Sequence, residues 1–249
     1  ASKTESLEVA YDTQEEVYTA MFTELDDVIA SLQDNLSLPS DAFGRYDGVY
    51  SGNISQWLKF ANSLKLRMAM RLTEVKPDLA KSKAAEAIAA GVITTNADNA
   101  MMHTSDNRTT LIYNDWGDHR IGADIINYMN GYNDPRREKM FQPATITGGG
   151  FHGVVNGLGS TEQKFYTKMS APNIFGETPM RWLLASEVAF LKAEFKLLKG
   201  DKSGAKSDYE EGIRLSFLEN GLSASDAADY AQSMKTCLLY TSPSPRDYA

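Results

Sequence analysis

The sequence predicts an all-α fold in which tetratricopeptide-like helical pairs carry a long, irregular, loop-rich insert. Helical periodicity at both ends of the chain, short turns between successive helices, and a gathering of turn residues in the middle predict this arrangement. The helical scaffold is expected over residues 14–91 and 179–235, and the insert over residues 92–178, within a single domain of residues 1–235. The spacing does not follow a clean 34-residue period, so the pattern predicts helical pairs rather than a repeat array.

The first helical stretch covers residues 14–36, and Thr13 followed by two glutamates is a suitable N-cap. Its predicted buried stripe consists of Val17, Met21, Leu25, Val28, Ile29 and Leu32. A second helix is predicted over residues 55–75, with the buried side Trp57, Leu58, Ala61, Leu64, Met68 and Leu72. Its exposed side is predicted to carry Lys59, Lys65, Arg67 and Arg71. Pro77 and Gly91 bound an alanine-rich third helix, which is close enough to form an antiparallel pair with the second.

A second helical pair is predicted near the end of the chain. Pro179 leads into a helix over residues 180–198, and Gly200 separates it from a helix over residues 202–218. The stripe of the first helix is Leu184, Val188, Leu191 and Phe195, and that of the second is Ala205, Tyr209, Ile213 and Phe217. A last short helix is expected over residues 225–234.

The middle of the chain has a different composition. A short helix over residues 121–129 ends at Gly131, and the Asn-Asp-Pro-Arg-Arg run of residues 133–137 turns the chain. Six of the eighteen glycines fall between residues 148 and 159, and nine aromatic residues are spread over residues 113–175. Because loops held on a rigid scaffold commonly carry recognition, the insert is the expected binding surface.

Composition excludes several classes of protein. The 249 residues are 42% hydrophobic and 23% charged, which is typical of globular domains and argues against disorder or a fibre. No apolar run approaches the roughly 18 residues of a membrane helix. The net charge of −8 argues against nucleic acid as a partner. Cys237 stands alone and cannot form an internal disulfide.

Sequence motifs give little support to a catalytic or cofactor site. Residues 148–153 formally match the dinucleotide pattern GxGxxG, but no helix can open directly after them, so a tightly turned or flexible loop is the better interpretation. His103, His119 and His152 lack the spacing of metal ligands, and neither a metal nor a cofactor is predicted. A paired-carboxylate glycosidase stays an alternative, because its two acids need only meet in space.

Arginines and tryptophans separate into structural and candidate binding residues. Arg136 and Arg137 follow a proline and are expected to hydrogen-bond carbonyl groups at the base of a loop. Trp57 and Trp182 fall in helical stripes and are expected in the core. Trp116 lies among polar residues beside a glycine, without an apolar period, so its indole is expected to be at least partly exposed.

Beyond these patterns, residues 46–72 (YDGVYSGNISQWLKFANSLKLRMAMRL) closely resemble the SusD/RagB family of Bacteroidetes. The resemblance lies in Tyr50, a short polar turn, and then Trp57, Phe60, Ala61, Asn62, Leu64 and Arg67. Three further matches follow in the family's order: AAEAIAAGVI (84–93), NDPR (133–136) and ASEVAFLKAEFKLLKGD (185–201). Together with GIRLSF (212–217), they extend the resemblance over about residues 14–231.

The resemblance implies an all-α lipoprotein of the outer membrane that is not an enzyme. It implies binding of an oligosaccharide or polysaccharide and capping of a SusC-like, TonB-dependent porin for import. The resemblance also implies an N-terminal lipid anchor outside this sequence. Because family chains are about twice as long, an internal-to-C-terminal fragment is expected. Residues 236–249 resemble the translation of a sequencing adapter and are expected to be a non-native tail.

No family signature identifies the ligand-binding residues, so we select candidates from the chemistry of sugars. Pyranose rings pack their CH faces on aromatic rings, and their hydroxyls need polar donors and acceptors. Trp116, Tyr113 and Asn114 are therefore the first predicted binding residues, and Phe151, His152 and Tyr166 are the second. The same architecture binding peptide or another nutrient, and a helical-repeat module binding only protein, remain alternatives.

Overall fold

A computed structural model describes residues 10–39, 43–157 and 162–239, with side chains described as far as residue 234. The chain divides into two compact units between Ile93 and Thr94. Helices are the main regular secondary structure of each unit, which confirms the predicted all-α class. The single domain predicted over residues 1–235 stays a prediction. Among the described helices, none combines the length and apolar character of a membrane span.

The first unit contains three α-helices, α1 (Gln14–Asp34), α2 (Ile54–Met70) and α3 (Pro77–Ala90). Thr13 caps α1 as predicted, because its hydroxyl accepts from the Glu16 N–H while the Glu16 carboxylate accepts from the Thr13 N–H. The second helix ends at Met70 rather than Val75, and the chain continues in hydrogen-bonded turns to Lys76.

Helix α2 is the centre of the first unit, because it packs against both α1 and α3. Leu66 is fully buried, and Lys65, which the sequence pattern placed on the exposed side, is only 3% exposed. The predicted stripe of α1 is also wrong in part. Its buried residues are Phe22 and Ile29, whereas Val17, Met21 and Val28 are exposed.

A buried ion network explains the position of Lys65. Its ammonium lies 2.6 Å from Asp26 of α1 and also contacts Glu86 of α3. Lys83 of α3 donates to the other Asp26 oxygen at 2.8 Å. Burial alone would raise the pKa of Asp26, but the hydrogen bonds from Lys65 and Lys83 lower it below its usual value. The network therefore ties the three helices together.

We expect Asp26→Asn to lower the free energy of unfolding by about 1–3 kcal/mol at pH 7. The loss is smaller than the ~3–5 kcal/mol of a fully broken buried pair, because Glu86 still contacts the Lys65 ammonium. A carboxylate whose pKa is lowered on folding stabilises the fold above its unfolded pKa of about 3.9, and this stabilisation is lost as pH falls through the folded value. The difference between the wild type and Asp26→Asn should therefore shrink below about pH 4.

Urea unfolding between pH 3 and pH 7, followed by circular dichroism, measures this difference. Asp27→Asn is the matched control, since Asp27 is the next residue of the same helix and is exposed. Equal stability of the Asp26→Asn and Asp27→Asn proteins at pH 7 would contradict the role of the network.

The turn before α2 is organised by one carboxylate. Asp47 accepts from the N–H groups of Val49, Tyr50 and Gly52, and from the Trp57 indole N–H at 2.7 Å. The Trp57 ring is half-buried and meets the Tyr50 ring edge-on at 5.3 Å. The short polar turn and following tryptophan noted in the sequence thus form one hydrogen-bonded unit at the start of α2.

The second unit contains the remaining α-helices and two described strands. They are β1 (Ala100–Met102), α4 (Ala123–Gly131), α5 (Arg137–Met140), α6 (Gln163–Tyr166), β2 (Met180–Leu183), α7 (Ala185–Leu198), α8 (Lys202–Glu219) and α9 (Ala224–Leu239).

Residues 180–183 form a strand rather than the first turn of a helix. Strand β2 pairs antiparallel with β1, and α7 begins only at Ala185, whose N–H donates to Asn99 Oδ1 at 2.7 Å. Trp182 lies on this strand and is 41% exposed, so its predicted core position is wrong.

Helices α7 and α8 form the predicted helical pair, and they run antiparallel. Lys192 and Lys196 of α7 both contact the buried Asp208 of α8. A Cβ at Gly212 would lie 2.7 Å from the Phe190 ring, so glycine allows the two helices to approach at this point. Helix α9 then covers α8, with Ala227 packed in the same buried cluster as Ile213 and Phe217.

Candidate functional site

The loop-rich insert is held together by backbone hydrogen bonds between extended segments. The Ile121 N–H donates to the Ser170 carbonyl at 2.9 Å, the Val154 N–H to Ile121 at 2.8 Å, and the Ser170 N–H to His152 at 2.8 Å. Gly153 is essential to this packing, because a Cβ there would lie 2.5 Å from the Ala123 Cα. The backbone of the insert is therefore held in a defined conformation, which fixes where its side chains begin.

The glycine-rich run of residues 148–153 contains a turn, as the sequence predicts. Gly148, Gly149 and Gly150 all have positive φ, between 62° and 97°. The described chain then enters an isolated bridge at Val154, and the next helix described, α6, begins only at Gln163. The strand–turn–helix context of a dinucleotide site is therefore missing here.

Trp116 follows a π-helical turn over Leu111–Asp115, and its side chain is 60% exposed, as predicted. Its backbone is nonetheless fixed. The Trp116 carbonyl accepts from Gln163 Nε2 at 2.7 Å. Arg120 donates to the carbonyls of Thr167 and Tyr113 at 3.0 and 3.1 Å. An exposed indole thus projects from a segment that is tied to α6 and the residue after it.

Tyr113 and Asn114 differ in accessibility. Tyr113 is 3% exposed, and its hydroxyl has no hydrogen-bond partner in the described part of the chain. Burial raises the pKa of this phenol. Asn114 is exposed. Trp116 and Asn114 can therefore meet a ligand directly, whereas the ring of Tyr113 lies beneath the surface.

The second predicted set lies partly in packing positions. Phe151 is half-buried against the cluster of Ile126, Met129 and Phe141. The Arg137 guanidinium lies 4.7 Å above the Phe151 ring. His152 is exposed, and its Nε2 lies 3.0 Å from the Gly149 carbonyl oxygen.

Tyr166 is half-buried at the end of α6, the helix that Gln163 ties to the Trp116 segment. The sequence interpretation missed its neighbour Phe165, which is 64% exposed. The sequence signal that could have identified Phe165 is its position beside Tyr166 and next to polar residues.

Arg136 has a structural role. Its side chain binds Asp134 and Ser216 rather than the carbonyl groups that the sequence predicts. It forms a forked ion pair with the buried Asp134, with Nε 2.9 Å from Oδ1, and donates to the Ser216 hydroxyl. Its guanidinium lies 4.9 Å from the Phe217 ring centre and 5.4 Å from that of Tyr230. Burial and the nearby Asp134 charge raise the pKa of Tyr230 to about 12.

Two concave surfaces of the second unit lie outside the predicted site. One, of about 580 Å³, lies between α8 and α9. The other, of about 620 Å³, lies where the turn after α4 meets α9. Within the described ranges, no cluster of three or more His, Cys, Asp or Glu side chains is arranged to hold a metal ion.

Comparisons with known proteins agree on one family. A family model described as "SusD-like: Susd and RagB outer membrane lipoprotein" matches residues 1–249. A SusD homologue of Bacteroides thetaiotaomicron VPI-5482 is 44% identical, with a TM-score of 0.83 over 89% of this chain and 48% of its own. A chitin-binding SusD homologue of Flavobacterium johnsoniae is 36% identical, with a TM-score of 0.82 over 92% of this chain and 49% of its own.

A third solved structure, a SusD homologue of Bacteroides ovatus ATCC 8483, is 38% identical, with a TM-score of 0.80 over 90% of this chain and 48% of its own. The chain thus spans about half the length of these solved relatives. No curated protein sequence matches it.

Proposed function

This chain belongs to the SusD-like family of outer membrane lipoproteins, and from that membership we propose that the protein captures glycans at the cell surface. It delivers them to a SusC-like, TonB-dependent porin of the outer membrane. The protein binds its cargo without catalysis, and a lipid anchor at the N-terminus of the whole protein holds it at the membrane.

The exposed indole of Trp116 is the observation that carries the proposal. An aromatic ring on a hydrogen-bonded backbone offers a flat, preorganised surface for the CH face of a pyranose. The neighbouring Asn114 amide supplies donors and acceptors for sugar hydroxyls. Phe165 adds a second exposed ring on the helix tied to Trp116.

The other predicted residues take supporting positions in this proposal. Tyr113 lies under the surface next to Trp116, and Phe151 packs between Arg137 and the apolar cluster behind it. His152 and Tyr166 remain accessible enough to contact a longer glycan at its edge. The chitin-binding relative supports a polymeric sugar as the cargo class.

Trp116→Ala tests the proposal. We expect isothermal titration against a panel of oligosaccharides and polysaccharides to show saturable binding by the wild type. Trp116→Ala should weaken that binding at least tenfold, since a central aromatic anchor commonly contributes 2 kcal/mol or more. Trp116→Phe, which keeps a ring, should retain part of the affinity.

Trp182→Ala is the matched control, because Trp182 is also partly exposed but lies on β2. Unchanged glycan affinity in Trp116→Ala would remove this site from the proposal. Binding of peptides instead of sugars by the folded protein would favour another nutrient as cargo, and released reducing sugar would favour a hydrolase.

A further inference from the structure

A second pair of exposed aromatic rings consists of Tyr128 on α4 and Tyr132, the residue that follows this helix. Tyr128 and Tyr132 are four residues apart and therefore lie on one face of the helix. Their rings are stacked, with centres 6.3 Å apart and planes at 19°. They are 68% and 40% exposed, whereas Ile126 and Met129 of the same helix are buried. The stacked rings, which we call the tyrosine platform, thus face solvent.

The chain that follows the tyrosine platform is held in one conformation. Asn133 has a positive φ of 50°, which asparagine tolerates better than most residues. The Asp134 N–H donates to the Met129 carbonyl at 2.9 Å, and the Asp134 carboxylate is fastened to Arg136. Arg136 in turn lies against the Tyr230 ring of α9. A surface fixed in this way loses little conformational entropy when a ligand binds.

Beside Tyr132 lies the concave surface of about 620 Å³. This volume falls within the range of about 300–1,000 Å³ typical of small-ligand sites. Its polar lining includes Asn133, Asp226, Asp229 and Ser233. Two of these side chains are carboxylates, and the described lining contains no lysine or arginine.

We propose that the tyrosine platform and this concave surface form a second sugar subsite, which takes neutral or amino-substituted pyranoses and rejects uronic acids. The inference rests on the proposed glycan-binding function and specifies the class of sugar. The CH face of the ring packs on Tyr132 and Tyr128. The carboxylates of Asp226 and Asp229 accept hydrogen bonds from sugar hydroxyls, and the Asn133 amide both donates and accepts.

The selectivity follows from charge. A protonated amino group on the sugar is attracted by the two carboxylates and by the faces of the tyrosine rings. A uronate carboxylate placed in the same position is repelled by Asp226 and Asp229, and the described lining holds no lysine or arginine to compensate. Arg136, whose guanidinium lies 5.4 Å from the ring centre of the lining residue Tyr230, is already paired with Asp134. We therefore expect this surface to repel anionic sugars.

The experiment compares three hexasaccharides of equal length by isothermal titration: N-acetylchitohexaose, the corresponding chitosan hexamer and hexagalacturonate. We expect the first two to bind at least tenfold more tightly than hexagalacturonate. The double variant Tyr128→Ala/Tyr132→Ala should weaken binding of both at least tenfold, while Tyr132→Phe stays within about threefold of the wild type. Asp226→Asn/Asp229→Asn should reduce the discrimination against hexagalacturonate.

Tyr46→Ala is the matched control, since Tyr46 is a strongly exposed tyrosine of the other compact unit. Circular dichroism on each variant checks folding, and both platform side chains are exposed enough to be removed without opening a core. Hexasaccharide binding that is lost in Trp116→Ala but unchanged in the tyrosine double variant would overturn this inference and leave the proposed function standing. Binding of no hexasaccharide would also overturn it, and absence of binding across the wider glycan panel would overturn the proposed function as well.

Discussion

Replacing Arg136 with alanine is expected to lower the free energy of unfolding by about 3–5 kcal/mol. The substitution leaves Asp134, which is 3% exposed, as a buried carboxylate without its cation. It also removes the hydrogen bond to Ser216 and the stacking on Phe217 and Tyr230. The cost exceeds that of a surface ion pair because an uncompensated buried charge loses its hydration without replacement.

Urea unfolding followed by circular dichroism measures the loss. Arg136→Lys keeps the charge but not the planar fork, so it should give an intermediate stability. Arg108→Ala is the matched control, since Arg108 and its partner Asp106 are both largely exposed, and it should cost less than about 1 kcal/mol. Similar losses in Arg136→Ala and Arg108→Ala would contradict the structural role of Arg136.

Gly153→Ala is expected to destabilise the loop-rich insert by about 1–3 kcal/mol or more. The added Cβ would lie 2.5 Å from both the Ala123 Cα and the Gly122 carbonyl oxygen. These are backbone atoms, so no side-chain rotation relieves the overlap. The bridge between Gly122 and Val154 must then open, and it fixes the chain at the start of α4.

Thermal unfolding of the variant protein gives the size of this effect. Gly131→Ala is the matched control, because Gly131 ends the same helix and a Cβ there meets no atom within 4 Å. It should be neutral or stabilising by up to about 1 kcal/mol. A Gly153→Ala protein as stable as the Gly131→Ala protein would show that the insert can separate from α4 without cost.

Local signals in the sequence account for most of the helical scaffold. Thr13 and Gly200 act within one turn of a helix end, and the stripe that includes Val188 and Phe195 repeats within α7, so these features could be predicted without knowing the fold. Strand β2 could not be predicted in this way. It is four residues long and pairs with Ala100–Met102, about eighty positions earlier in the chain.

The exposure of individual side chains also depends partly on local sequence and partly on contacts with other segments. Lys65 lies at a position where periodicity predicts solvent, and only partners on two other helices explain its burial. Trp116 could be predicted as exposed because its neighbours are polar and carry no apolar period. Tyr113 lies in the π-helical turn, where its carbonyl accepts from Arg120, and Arg120 also donates to the carbonyl of the distant Thr167. Spacing in the sequence does not reveal these contacts.

Main-chain hydrogen bonds join several segments of the insert, as those among Ile121, His152, Val154 and Ser170 illustrate. Main-chain hydrogen bonds do not depend on the identity of most side chains. Exposed residues such as Asn114 and Trp116 can therefore be replaced without a change in backbone conformation. Substitutions of these exposed residues are therefore expected to cost little in folding free energy. The same property makes this insert a suitable surface for randomised libraries, because its exposed side chains can vary on one backbone.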